Sequence, residues 1–242
     1  MPDLLYSENA PPRSTLYLKI PLGSESPATP MTAVFLSRRA APAPTVDVLL
    51  YLHGHKADSL QIDDYLAKPQ YRFRERLNAA SKAAILVAPT LGPKSQPGIL
   101  ASQGDAYLSD VLEGLQQHGG FEAKPTIDNL VLACHSGGGV AMLALAQTLK
   151  APVAACWGFD CLYNAGHDDA WAAWAMQHPG ASLFVFYQSS TRDLSESLAR
   201  KTARLSNVVV MPSKAPNHDN VPRWHWLDRL RKSWELFGPS HG

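Results

Sequence analysis

The chain has 242 residues, 45% hydrophobic and 18% charged, and 22 Lys plus Arg against 21 Asp plus Glu leave a net charge of +1. This length supports a sizeable core, and the apolar content excludes an intrinsically disordered chain. The near-zero charge gives no footing for nucleic acid or an acidic membrane, so neither partner is expected.

The three cysteines, Cys134, Cys156 and Cys161, are too few for a disulfide framework, and no CxxC or paired Cys/His spacing marks a structural zinc site. The opening MPDLLYSENAPPR lacks the basic and apolar regions of a signal peptide. Apolar runs such as 48–52 and 153–157 are far short of a membrane span. A cytoplasmic location is expected, and the sequence is silent on oligomeric state.

In chain order, residues 15–20 (TLYLKI) and 32–37 (TAVFLS) alternate in polarity and predict an antiparallel pair. After the Pro/Ala-rich stretch 40–44 come apolar runs at 46–52, 84–88, 129–133, 153–158, 182–187 and 207–211. Runs without alternation are what strands buried on both faces look like. Helical patterns lie between them at 69–82, 104–118, 137–149, 168–178, 194–205 and 222–237. The last has Pro222 in its first turn and Gly238 beyond its end. This order predicts one α/β domain over 1–242: a doubly wound, mostly parallel sheet of about eight strands with helices on both faces.

Ligands of such sheets bind at the carboxyl ends of the strands. There the sequence places His53-Gly54-His55, then Cys134-His135-Ser136-Gly137-Gly138-Gly139, then Asp160, then residues 188–193 ending in Asp193, and finally a loop with His218-Asp219. Residues 130–139 (LVLACHSGGG) resemble the nucleophile elbow of the α/β-hydrolase family, with Cys134 standing where the first Gly of Gly-x-Ser-x-Gly usually is. No Lys-Ser/Thr follows the glycines, which disfavours a Walker-type phosphate loop.

The resemblance implies a serine hydrolase with Ser136 as nucleophile and His218 as general base. Leu52-His53-Gly54-His55 looks like the family's oxyanion loop, so the donors would be the amides of His55 and Gly137. Two positions suit the orienting acid. Asp193 follows the seventh predicted strand, yet Asp193-Leu194-Ser195-Glu196 also reads as a capping box. Asp160 ends a buried run, where a carboxylate needs a partner, and is narrowly favoured. Ester hydrolysis is expected first, with amide or peptide bonds next.

Two other readings are weighed. A non-catalytic or slow-turnover binder on the same fold would keep these residues, because fold does not fix function. A metal-dependent hydrolase is suggested by His53-Gly54-His55-Lys56-Ala57-Asp58, which resembles the HxHxDH ligands of metallo-β-lactamase-like enzymes. Its spacing fails by one residue, and Ser59 stands where the next His belongs. No metal and no cofactor are expected. The partner is a small-molecule ester or amide, contacted by Lys94, Ser95 and Gln96 of the Gly/Pro-rich loop 89–98. Trp171 contributes from a short cap or crossover segment at 161–180.

Overall fold

The computed structural model describes residues 1–8, 14–24, 29–55 and 61–233. Its strands are β1 (Asp3–Glu8), β2 (Thr15–Lys19), β3 (Met31–Leu36), β4 (Thr45–Leu52), β5 (Ala84–Pro89), β6 (Thr126–His135), β7 (Val153–Phe159), β8 (Ser182–Tyr187) and β9 (Val208–Pro212). They form one sheet in the order β1-β2-β3-β5-β4-β6-β7-β8-β9, antiparallel through β3·β5 and parallel beyond it.

The unbroken apolar runs have a direct cause, since successive side chains alternate faces and both faces are covered. Val48, Leu50 and Leu52 of β4, with Leu130, Leu132 and Cys134 of β6, enter one core; Leu49, Tyr51, Val131 and Ala133 enter the other. Helices α3 (Gly104–His118), α4 (Gly139–Thr148), α5 (His167–Gln177) and α6 (Arg192–Lys201) bury apolar residues in the first core. Helices α1 (Ile62–Ala67), α2 (Phe73–Ala79) and α7 (Val221–Ser233) pack on the second.

The sheet has nine strands where about eight were expected, because β1 adds an edge beside β2. Helix α1 was also not anticipated. The pattern at 69–82 divides into a 3₁₀ turn at Pro69–Tyr71 and the shorter α2, because Arg72 leaves helical geometry at ψ 52°. The predicted end of the last helix, Phe237 with Gly238 after it, lies outside the described residues. No described helix is long and apolar enough to cross a membrane.

Chain order reverses between β4 and β6, since β4 connects onward to β5 on one side while β6 leads to β7 on the other. That reversal is the topological switch point where crevices open at strand carboxyl ends. The carboxyl ends of β4 and β6 meet there.

Candidate active site

The turn from β6 into α4 is strained. Ser136 has φ 53°, in the left-handed region that costs a non-glycine residue about 1–3 kcal/mol. A 3₁₀ turn, Ser136–Gly138, links it to α4, whose amino end carries the positive pole of the helix dipole. The glycines allow tight packing. A Cβ on Gly138 would lie 2.4 Å from the Leu52 carbonyl oxygen, and one on Gly139 2.5 Å from that of Cys161. Across the switch point, a Cβ on Gly54 would come within 2.8 Å of Ser136 Cβ. The loop after β4 therefore presses against the serine.

His53 holds that loop. The Leu91 N–H donates to its Nε2 at 2.9 Å, so its proton sits on Nδ1, which donates to the Gly54 carbonyl at 2.7 Å. A planar trans peptide points that carbonyl opposite to the His55 N–H. Fixing Gly54 thus fixes the aim of the His55 amide. The His55 ring lies against Gly137, where a Cβ would meet it at 2.4 Å.

His218 begins the short turn between β9 and α7. Its Nδ1 lies 2.6 Å from Asp160 Oδ2, which leaves Nε2 as the ring nitrogen free of the carboxylate. Asp160 is fully buried at the end of β7, with φ 51°. Its other oxygen accepts the Gln188 N–H at 2.8 Å and the Thr191 hydroxyl. Burial works to raise the Asp160 pKa, but the hydrogen bonds from His218, Thr191 and Gln188 outweigh it and hold the carboxyl below its usual range.

His135, buried beside the serine, lies tilted by 34° against His218 with ring centroids 4.4 Å apart and donates from Nε2 to the His218 carbonyl at 3.2 Å. Its Nδ1 faces the Tyr65 hydroxyl at 3.4 Å. Burial and the neighbouring His218 push its pKa down to about 3, so it is neutral near pH 7.

A cavity of about 470 Å³ opens beside Ser136, lined by His55, Lys94, Gly137, Tyr163 and His167 among others. The Tyr163 hydroxyl sits beside Ser136 and 3.4 Å from both Ser190 Oγ and His218 Nδ1. Burial raises its pKa, which keeps it a hydrogen-bond donor at neutral pH.

Several expected site residues fall elsewhere. Asp193 is exposed in the first turn of α6, whose N-cap is Thr191, so the capping-box reading fails as well. Trp171 does not line the cavity; it is 1% exposed and packs edge-on against Trp174 in the core, because their i,i+3 spacing faces α5 inward. Segment 161–180 accordingly forms a crossover, with α5 packed on α4 and α6. Gln96 is exposed and does not line the cavity. Ser95 is buried just behind it, with Oγ 3.1 Å from where a Gly137 Cβ would stand. Only Lys94 of that trio reaches the cavity.

The alternative metal motif does not assemble through His53, whose ring nitrogens are both engaged; Lys56, Ala57, Asp58 and Ser59 lie outside the described residues. Another group, His135, His218 and Asp219, brings donor atoms within 4.8 Å of one another. There too both His135 nitrogens and the His218 Nδ1 already have partners. The donor set does not fit a metal ion.

Reading by strand ends did not find Thr191, Tyr163 or His167. Thr191 falls within the strand-end run 188–193, but its contact with Asp160 depends on tertiary packing and leaves no mark in the sequence. Tyr163 and His167 are placed by the loop after β7 and carried no pattern.

The order of strands, the crossovers and the strained serine turn at the switch point define the α/β-hydrolase fold. Comparison with solved structures gives the same fold. The chain superposes on an S-formylglutathione hydrolase from Agrobacterium tumefaciens with TM-score 0.67 and 13% identity, over 98% of this chain and all of that one. It matches the feruloyl esterase module of Clostridium thermocellum, complexed with sinapinate, at TM-score 0.68 and 12% identity over 100% and 99% of the two chains. The S-formylglutathione hydrolase of Staphylococcus aureus follows at 0.61 and 14%, over 95% and 97%. No family model and no curated protein matches the sequence.

Proposed function

We propose that the protein is a serine hydrolase that cleaves carboxylic esters through an acyl-enzyme on Ser136. One observation supports this reading above the others: strained Ser136 stands at the same sheet edge as a histidine whose Nδ1 is held by a buried carboxylate, and the cavity-lining Tyr163 touches both. The solved neighbours, named as esterases and S-formylglutathione hydrolases, support the ester class.

In this mechanism Ser136 Oγ attacks the ester carbonyl while His218 Nε2 takes its proton. Asp160 fixes the imidazole tautomer and stabilises the imidazolium. The amides of His55 and Gly137 bind the oxyanion, and each such donor is worth about 10²–10³ in rate. The imidazolium then protonates the departing alcohol, and water deacylates the serine by the same path. Alcohols leave more readily than amines, so esters precede amides.

A fluorophosphonate probe with mass-mapped labelling tests this reading directly. Labelling should fall on Ser136, and Ser136→Ala should lose about 10³-fold or more of ester hydrolysis while remaining folded. Asp160→Asn should be severely impaired and Asp193→Asn near wild type; the reverse order would transfer the orienting role to Asp193. Full activity in Ser136→Ala would sink the proposal.

A further inference from the structure

Three features of the cavity bear on the kind of ester it accepts, an inference that rests on the esterase reading. First, its lining is charged with one sign. Among the described residues, Lys94 is the one formally charged group that lines it, and no described Asp or Glu does. Lys94 is exposed and has no ion-pair partner among the described residues.

Second, Lys94 is held there against local preference. Lys94 and Ser95 are consecutive non-glycine residues at φ 55° and 62°, each costing about 1–3 kcal/mol in that region. The strain is locked in by the Ser95 N–H donating to the Gly92 carbonyl at 3.0 Å, and the Gly92 N–H to the Gln96 carbonyl at 2.9 Å. Ser24 Oγ clamps the same Gln96 carbonyl at 3.0 Å. Buried Ser95 packs this turn onto Gly137, so the position of Lys94 is tied to that of the nucleophile.

Third, the cavity also offers uncharged hydrogen-bonding groups. Asn164 and His167 line it, and His167 Nδ1 is buried without a partner among the described residues. The remaining lining includes Val140, Cys161 and the Tyr163 ring, which suits a short apolar stretch of substrate.

We propose that the site takes esters bearing a second, negatively charged group, such as a free carboxylate, which Lys94 binds while Ser136 attacks the ester carbonyl. One exposed lysine on the cavity wall, screened by solvent, supports a preference of about two- to fivefold, the range of a single exposed ion pair.

The test compares para-nitrophenyl hexanoate with mono-para-nitrophenyl adipate, esters of equal chain length that differ by one carboxylate. The wild-type enzyme should show a kcat/KM about two- to fivefold higher for the adipate, and added salt should shrink that ratio. Lys94→Arg should retain the preference and Lys94→Glu should invert it. Calorimetric titration of both esters into Ser136→Ala reads the same preference as binding, independently of turnover. Equal kcat/KM for the two esters, or a ratio unmoved in Lys94→Glu, would overturn the proposal and leave the esterase reading intact. Adipate-selective binding to Ser136→Ala without turnover by the wild type would instead uphold it and overturn the esterase reading.

Discussion

His135 shows how one buried side chain ties the parts of the site together. It precedes Ser136 in sequence, yet its ring donates to the backbone of His218 and accepts from Tyr65. Protonating it would place a charge in the interior and remove its acceptor. Its pKa of about 3 lies below the ordinary 6.5, so the unfolded chain binds a proton more readily than the folded one. Its stabilising contribution is therefore complete above about pH 6.5 and is lost as pH falls towards 3, at up to about 1.4 kcal/mol per pH unit. His225, pushed down to about 4 mainly by burial, adds in the same direction. Urea unfolding across this window should show stability falling with acid, and His135→Gln should flatten the slope. A slope unchanged in that variant would remove His135 from the acid response.

At this scale, Ser136, His218 and Asp160 were legible because each directly follows a buried strand or sits in the loop after one. Trp171 was misassigned because an aromatic on a helix near a strand end looks the same whether it faces core or cavity. Tyr163 and Thr191 were not legible because only tertiary packing brings them to the pair they touch.

Among elements, the turn from β6 into α4 is the most constrained. Gly138 and Gly139 answer to backbone atoms of β4 and of the segment after β7, which cannot retreat as a flexible side-chain tip would. Gly138→Ala, with its Cβ 2.4 Å from the Leu52 carbonyl oxygen, should lower stability by about 1–3 kcal/mol in thermal or urea unfolding. Gly54→Ala, directed at Ser136 Cβ, should instead reduce kcat far more than stability. A Gly138→Ala variant as stable as wild type would mean the strands separate readily at the switch point. Helix α3 was read at its observed ends, Gly104 to His118, because Gly119 stops it and its apolar stripe is regular. The start of α2 was misread because a 3₁₀ turn precedes the helix and carries much the same residues as a first helical turn, whereas α6 starts at Arg192 rather than 194 and stops at Lys201, short of the predicted 205.

Over the whole molecule, the parallel half of the sheet was legible because burial on both faces removes alternation from its strands. Strand β1 was not, as it is a partly exposed edge with an irregular register between Leu4 and Tyr6. What secures that edge is one buried cation. Arg74 of α2 is 2% exposed, and its Nη1 reaches Glu8 at 2.8 Å, Thr15 at 3.0 Å and the Tyr17 hydroxyl at 3.1 Å. It thereby joins β1, β2 and α2 on the face opposite α3. Arg74→Ala removes the stem's packing and leaves Tyr17 and Glu8 short of a donor, so it should cost about 3–5 kcal/mol. Arg74→Met restores the packing without the charge and should recover part of that loss. Glu8→Gln keeps an acceptor oxygen but leaves the buried Arg74 guanidinium without its counter-charge, so it should cost about 1–3 kcal/mol. Should all three variants unfold at the wild-type urea midpoint, the edge strand is held by its β1·β2 ladder alone. Hydrogen exchange on β1 amides separates these cases, because loss of the Arg74 anchor should speed exchange at the edge before the parallel core is affected.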